Sequence, residues 1–313
     1  MELLKPILIA DDMHAVLMNG LQDAHISFDY RPDISVDELK EVIPEYEMLI
    51  VRSKIRVDRD LIDRASSLKC IARAGAGMDN IDEAYAKSRG IVCLNAPEGN
   101  RDAVGEHALG MLLNLTRNIG RSYKEVQEGK WLREENRGEE LTELTVGIIG
   151  FGNTGQSFAQ KISGFGCQVL YFDKFIPSVP THFARPALLE EVYDQADVLS
   201  FHIPLDESNK GLINRDLIET VTRPFYLLNL SRGGIMNTKD ILWGLENGKI
   251  KGAGLDVLEN ETLVHWTEDE KRMFDSLVKT NRVVVTPHIG GWTRASYRKI
   301  SEVLLNKIMS MLA

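Results

Sequence analysis

Long apolar runs are missing from this chain of 313 residues. None approaches the roughly 18 residues that a membrane-spanning helix requires, so no spanning segment is expected. The opening MELLKPILIADD lacks the basic stretch and longer apolar stretch of a secretory signal. It reads instead as a first buried strand, which points to the cytoplasm. Cysteine is scarce: Cys70, Cys93 and Cys167 are the only three, with no CxxC pair and no even framework. Each falls in or beside an expected strand, so they read as reduced core thiols, and neither a disulfide nor a metal is expected. Basic charge is also short, with 37 Lys and Arg against 46 Asp and Glu and a net charge of −9. A nucleic-acid partner calls for a basic stripe, so that class is set aside, while a small anionic ligand held by local arginines is not. No internal repeat or low-complexity segment stands out.

What is present is an ordinary globular composition, 43% hydrophobic and 27% charged, at a length that suggests two domains. The most informative stretch, TVGIIGFGNTGQSFAQKISGFGCQVLYFD, lies in the middle of the chain. A short apolar strand, Val146 to Ile149, runs into Gly150, Phe151, Gly152, Asn153, Thr154 and Gly155. A helical stretch and a second strand, Gln168 to Phe172, follow, and the second strand ends on Asp173. Strand, GxGxxG, helix, strand and acid in that order form the dinucleotide-binding fingerprint in its required context. Gly150 permits the tight turn, Gly152 lets the backbone approach a pyrophosphate, and Gly155 lets helix and strand pack closely. Asp173 is suited to accept hydrogen bonds from ribose hydroxyls and to repel a 2′-phosphate, so NAD is the expected cofactor.

Short apolar runs alternate with amphipathic ones along the whole chain, the pattern of parallel α/β layers. Strands are expected at 7–10, 26–30, 48–51, 69–72 and 91–94, with helix caps at Ser35 and Asp58. One long helix is expected from Asp102 to about Glu128, buried against more than one element. After the fingerprint, strands are expected at 198–202, 225–229, 252–257 and 282–286, followed by a C-terminal helix from about Thr293 to Met311. The charged segment 262–281 reads as a local helix. Six strands counted from the fingerprint suffice for a dinucleotide-binding sheet, so the leading block needs its own domain and the last helix returns to it. The expected fold is α/β, two Rossmann-like doubly wound domains with the active site in the cleft between them. Their expected limits are 1–98 plus 288–313 for the substrate domain and 99–287 for the NAD-binding domain.

A Rossmann sheet does not choose a reaction. Reduction of a carbonyl by hydride needs a cation for the substrate, an acid for the developing alkoxide, and a group that tunes the acid. Three stretches that leave strands supply them: NLSRGG around Arg232, GLDVLENE with Asp256 and Glu261, and TPHIGG with His288 and Gly290. Further stretches, including RAGAGMDNID from Arg73, NAPEGN from Asn95, Glu106-His107, Gly129-Lys130-Trp131 and His202-Ile203-Pro204-Leu205, complete a pattern that covers nearly the whole chain. In that pattern the chain resembles the D-isomer-specific 2-hydroxyacid dehydrogenases.

The resemblance implies that His288 is the proton donor, that Glu261 pairs with it, and that Arg232 grips the substrate carboxylate. It implies cofactor contacts at Gly150, Gly152, Asn153, Thr154, Gly155, Asp173, His202, Pro204, Leu230, Asp256 and Gly290. Substrate contacts are implied at Arg52, Ser53, Ala76, Gly77 and Asn100, and a homodimer with Trp131 near its contact. Two departures stand out: Thr262 where the family usually has proline after its glutamate, and Asn237 where it commonly has aspartate. Within the family the chain looks most like members that oxidise 3-phosphoglycerate in the first committed step toward serine. Arg52, Lys54, Arg73, Arg133 and Arg137 are candidate phosphate cations, and no C-terminal regulatory extension is expected. Reduction of glyoxylate or hydroxypyruvate is the alternative within the family. A catalytically silent NAD-sensing corepressor is the alternative from another class.

Overall fold

A computed structural model of the chain describes residues 6–176 and 180–313. It divides into two compact units, Met1–Arg101 with Trp292–Ala313, and Asp102–Gly291. The divisions expected after 98 and after 287 therefore move to 101 and 291. The second shift matters chemically, because His288 stays with the dinucleotide unit. Its backbone N–H donates to the Asp256 and Thr286 carbonyls at 2.8 and 3.0 Å, both within that unit.

The first unit is built on β1 (Ile7–Ile9), β2 (Phe28–Tyr30), β3 (Met48–Val51), β4 (Cys70–Arg73) and β5 (Val92–Asn95). All pair in parallel in the order β2-β1-β3-β4-β5. Side chains alternate across a strand, so each face of the sheet has its own core. Leu8, Leu49 and Ile71 meet Leu39 and Leu61 on one face. Ile7, Ile9, Met48 and Ile50 meet Leu17, Leu21, Ile300, Leu304 and Ile308 on the other. The last three belong to the C-terminal helix Arg294–Leu312, which starts at a capping box between Thr293 and Ser296. Burial of each such aliphatic side chain contributes about 1.5–3 kcal/mol. Lys307 adds a polar tie, its ammonium 2.9 Å from both Glu98 carboxylate oxygens. Ser35 makes the expected capping box with Glu38, and Asp58 accepts from the Leu61 N–H.

The second unit holds β6 (Thr145–Ile149), β7 (Gln168–Phe172), β8 (Arg185–Pro186), β9 (Val198–Phe201), β10 (Phe225–Asn229), β11 (Ile250–Leu255) and β12 (Val283–Val285). The sheet is parallel in the order β12-β11-β10-β9-β6-β7-β8. The chain steps from β6 to β7 on one side, then returns through β9 to the other side. Such a reversal leaves a crevice at the carboxyl ends of the two central strands, the place where open α/β sheets bind ligands. β8 went unforeseen because two residues, one of them proline, carry no periodicity.

The single long helix expected over 102–128 is two helices, Pro97–Thr116 and Ile119–Gln127. Asn118 between them takes a left-handed φ of 52°, and the Asn114 side chain accepts the Gly120 N–H at 2.7 Å. The first helix buries Val104, Ala108, Met111, Leu112 and Leu115 in the core under β6 and β10. The second buries nothing, leaving Ile119, Tyr123 and Val126 exposed. A local helix does occupy the charged segment, at Glu268–Lys279. Among the described residues, no helix is long and apolar enough to cross a membrane.

Candidate active site

The glycine turn follows β6 directly. Gly150 has φ +93°, a region that side chains rarely adopt, and a Cβ on Gly155 would lie 2.1 Å from the Gly150 carbonyl oxygen. Both positions therefore require glycine. Gly152 is different: a Cβ there would meet nothing within 4 Å. It precedes the helix Asn153–Ser163, whose start carries no side-chain cap. The open space and the uncapped N–H groups at Asn153 and Thr154 fit a pyrophosphate, with the helix dipole favouring the anion.

Asp173 stands just past β7. One carboxylate oxygen accepts the Phe151 N–H at 2.6 Å, and the other accepts the N–H groups of Phe175 and Ile176, both at 2.8 Å. A carboxylate offers about four acceptor directions, so the group ties the glycine turn to the loop and keeps capacity for hydroxyls. His202 lies past β9, and its backbone carbonyl packs on Gly150. Its ring turns inward against Phe158, with Nε2 2.8 Å from the Ser200 hydroxyl. Burial pulls its pKa down to about 4, so the imidazole is neutral. Pro204 is exposed and Leu230 is in the core.

The reactive groups gather at the ends of β10, β11 and β12. Asp256, directly after β11, is 2% exposed. Its carboxylate accepts the Thr286 hydroxyl at 2.6 Å, the Ile289 N–H at 2.9 Å and the Gly290 N–H at 2.7 Å. The chain after β12 is thereby wrapped around one buried acid. His107, from the helix Pro97–Thr116, joins through Thr286, its Nε2 2.9 Å from the hydroxyl. Within this loop His288 has a left-handed φ of 54°. For a non-glycine residue that conformation is uncommon and is kept only when surrounding bonds over-determine it.

The His288 Nδ1 lies 2.9 Å from the Glu261 carboxylate. That hydrogen bond raises the histidine above its usual pKa, against burial and the nearby Arg232 charge, which both lower it. With Nδ1 committed to the carboxylate, Nε2 is the nitrogen left for a ligand, and the ring is 44% exposed. Competing acids are engaged elsewhere. Glu259 accepts the Thr238 N–H at 2.7 Å, Glu268 pairs with Lys271, and Asp269 pairs with Arg272. Arg232 follows β10, with its Nη1 donating to the Ser231 carbonyl at 2.7 Å. Asn237, one of the two departures, caps the helix Thr238–Glu246 by accepting the Lys239 and Asp240 N–H groups.

In the first unit, Arg52 lies just past β3. Its guanidinium sits 4.7 Å from the Trp292 ring and 5.0 Å from the Tyr297 ring, and donates to the Asp12 carbonyl. Ser53 is exposed, and the Ala76 carbonyl accepts from the Asn95 amide at 2.7 Å beside half-buried Gly77. The Asn100 side-chain oxygen is shielded and has no hydrogen-bond partner among the described residues. His107 and Thr286 are the polar residues whose roles the sequence left unassigned, although both lie inside quoted motifs. No group of three or more His, Cys, Asp or Glu suited to a metal occurs among the described residues.

A reversed parallel sheet, a glycine turn open to a pyrophosphate, and a histidine–carboxylate pair beside an arginine define a nicotinamide-dependent oxidoreductase of the α/β class. Residues 109–290 match the NAD-binding domain of the D-isomer-specific 2-hydroxyacid dehydrogenases, and the chain belongs to that family. It is 37% identical over 278 residues to a hydroxypyruvate reductase of Thermotoga maritima, covering 88% of each chain. It is 30% identical over 309 residues to a D-3-phosphoglycerate dehydrogenase of Methanocaldococcus jannaschii, covering 98% of this chain but 57% of that one. The chain thus spans little more than half of that relative. A crystal structure of D-lactate dehydrogenase from Aquifex aeolicus, complexed with NAD and lactic acid, superposes with a TM-score of 0.82 at 25% identity, covering 98% of this chain and 95% of that one.

Proposed function

We propose that the protein reduces a short 2-oxo acid to the D-2-hydroxy acid, with hydroxypyruvate as the preferred substrate and glyoxylate as a smaller one. The observation that carries the reading is the His288–Glu261 pair at 2.9 Å on the same sheet edge as Arg232. Arg232 pairs with the substrate carboxylate and polarises the keto oxygen, a task suited to a planar, permanently charged fork. His288 donates the Nε2 proton to that oxygen as it gains charge, and Glu261 stabilises the imidazolium that serves as the acid. NADH, when bound, would supply the hydride to the carbonyl carbon and be left as NAD. Asn153 and Thr154 would hold its pyrophosphate, Asp173 its ribose, and Gly290 and Leu230 its nicotinamide end. Asp256 acts by fixing that turn. Arg52, Ser53, Ala76, Gly77 and Asn100 are assigned to substrate binding, the unpartnered oxygen of Asn100 supporting its inclusion.

Two observations favour a neutral substrate tail. The Thermotoga relative matches across 88% of both chains. Three of the five candidate phosphate cations are also engaged: Arg52 lies against the Trp292 and Tyr297 rings and donates to the Asp12 carbonyl, Lys54 donates to the Pro32 carbonyl, and Arg137 pairs with Glu134. Reduction of 3-phosphohydroxypyruvate, the serine-pathway step run in reverse, is the second reading, favoured by the phosphoglycerate dehydrogenase relative. A steady-state panel of hydroxypyruvate, glyoxylate and 3-phosphohydroxypyruvate with NADH decides between them. The first reading requires the highest kcat/KM for hydroxypyruvate, and a preference for the phosphorylated acid would replace it with the second. Inactivity toward all three would leave a binding role.

We also propose a homodimer through the exposed face of Ile119, Tyr123, Val126 and Trp131, the last 82% exposed. Apolar groups of this size in one neighbourhood mark an interaction surface. Sedimentation velocity should give twice the chain mass, and Trp131→Ser should lower it toward one chain. A monomeric parent protein would refute the proposal.

A further inference from the structure

Glu261 lies in a loop outside the regular elements, yet it has to hold its carboxylate within hydrogen-bond distance of His288. Both neighbours of Glu261 in sequence are tied down. On one side, the Asn260 carbonyl accepts the Trp266 indole N–H at 2.9 Å, and the Asn260 amide donates to Glu270 Oε1, also at 2.9 Å. On the other side, the Thr262 N–H donates back to the Asn260 side-chain oxygen at 3.0 Å. Asn260 thus uses its backbone carbonyl and both ends of its side chain within ten residues of chain.

These ties lead to a fixed body. Glu270 Oε2 accepts the N–H and hydroxyl of Thr267 at 2.7 and 2.8 Å, which completes the capping box of the helix Glu268–Lys279. That helix is anchored through Leu277, fully buried in the core with Ile241, Leu245 and Ile250. The Trp266 ring rests on Phe274 of the same helix, with centroids 5.0 Å apart. A carboxylate on an untied loop would sample many positions, whereas hydrogen bonds on both flanking residues restrict it.

We propose that Trp266, Asn260 and Glu270 are positioning residues that fix the Glu261 backbone against the helix Glu268–Lys279, so that its carboxylate meets His288 Nδ1. The inference rests on the reading of His288 and Glu261 as the proton-donating pair. The charged and titratable groups around His288 are Glu261, Arg232 and Asp256, with His107 behind Asp256 through Thr286. Those around the loop are Glu259, His265 and Glu270, of which Glu259 is held by Thr238.

The test is the pH profile of kcat/KM for reduction of the best substrate of the panel. Trp266→Phe keeps a ring against Phe274 and removes the indole N–H. Its alkaline limb should move down by about half a pH unit or more, part of the 1–3 units that an adjacent opposite charge confers. Turnover at the acid end should stay within about twofold of the parent, and NADH affinity should not change. Asn260→Ala breaks the side-chain ties independently and should displace the limb in the same direction, so a poorly folded Trp266→Phe does not end the test. Glu261→Gln is the reference. If it displaces the limb and neither other variant does, the positioning role is overturned. If Glu261→Gln leaves the limb in place, the reading of the pair itself fails.

Discussion

Asp256 holds His288 through the backbone: the Asp256 carbonyl accepts the His288 N–H at 2.8 Å, while its carboxylate accepts the next two N–H groups. Three residues after β12 are thereby fixed on the end of β11, with His288 at φ 54°. A left-handed conformation at a non-glycine residue costs about 1–2 kcal/mol, which these bonds offset.

Asp256→Ala would remove the acceptor of the Thr286 hydroxyl and of the Ile289 and Gly290 N–H groups. Of these the Gly290 N–H is buried, and a buried donor left without a partner costs about 1–3 kcal/mol, so denaturant unfolding should show a loss of at least about 1 kcal/mol. Asp256→Asn keeps one acceptor oxygen and should lose less. Turnover should fall in both variants, in the same order as stability. Equal stability of Asp256→Ala and the parent would show that the loop holds itself.

With His288 as the proposed acid, Glu261 sets the pH range of the reaction. Because the carboxylate raises the His288 pKa, the imidazolium persists to a higher pH than an ordinary histidine allows. Reduction needs that acid form, so its rate holds below the raised pKa and falls as pH rises through it. In Glu261→Gln the fall should begin at lower pH, and the oxidation direction, which needs the neutral ring, should extend to lower pH as well. Profiles that coincide with the parent in both directions would remove Glu261 from the acid's environment.

Asp173 makes three backbone hydrogen bonds, and the proposed function gives it the ribose as well. Asp173→Ala should therefore raise KM for NADH by about tenfold, lower the preference for NADH over NADPH, and reduce stability by about 1–3 kcal/mol as the N–H acceptor is lost. Cofactor titrations with both dinucleotides read the first two effects. Unchanged discrimination would assign Asp173 to the loop alone.

His202 makes stability depend on pH. It is neutral in the folded state down to about pH 4, but takes up a proton near the ordinary histidine pKa when unfolded. The unfolded state then binds more protons between those values, so stability falls as pH drops from about 6.5 to 4, by on the order of 3 kcal/mol. His202→Gln should flatten that part of the curve. An equal slope in parent and variant would place the proton uptake elsewhere.

The parts of this molecule that could be read from sequence are those where one residue type meets a local demand. Gly150 and Gly155 stand where φ or a 2.1 Å approach forbids a side chain, and Asp173 stands where the turn needs an acceptor. The apolar runs of β1 and β3 are legible because both faces of a parallel strand are covered. The break at Asn118 was not legible, since the left-handed residue is Asn118 rather than a glycine, and the bond from Gly120 to Asn114 depends on a side-chain rotamer. Asp256 was expected to face the cofactor, yet its aim into the loop depends on how β12 lies beside β11. The bonds from Asn260 to Trp266 and Glu270 follow no periodicity; the only sequence hint was Thr262 where a proline was expected, a position whose N–H is in use.

The central claim is that His288 is the proton donor on a site that binds its dinucleotide independently. His288→Ala measured for NADH binding by fluorescence and for steady-state reduction of hydroxypyruvate tests it most directly. The account predicts NADH affinity within about threefold of the parent and turnover lower by about 100-fold or more, the usual contribution of a positioned general acid. Turnover within a few-fold of the parent, with binding intact, would contradict it.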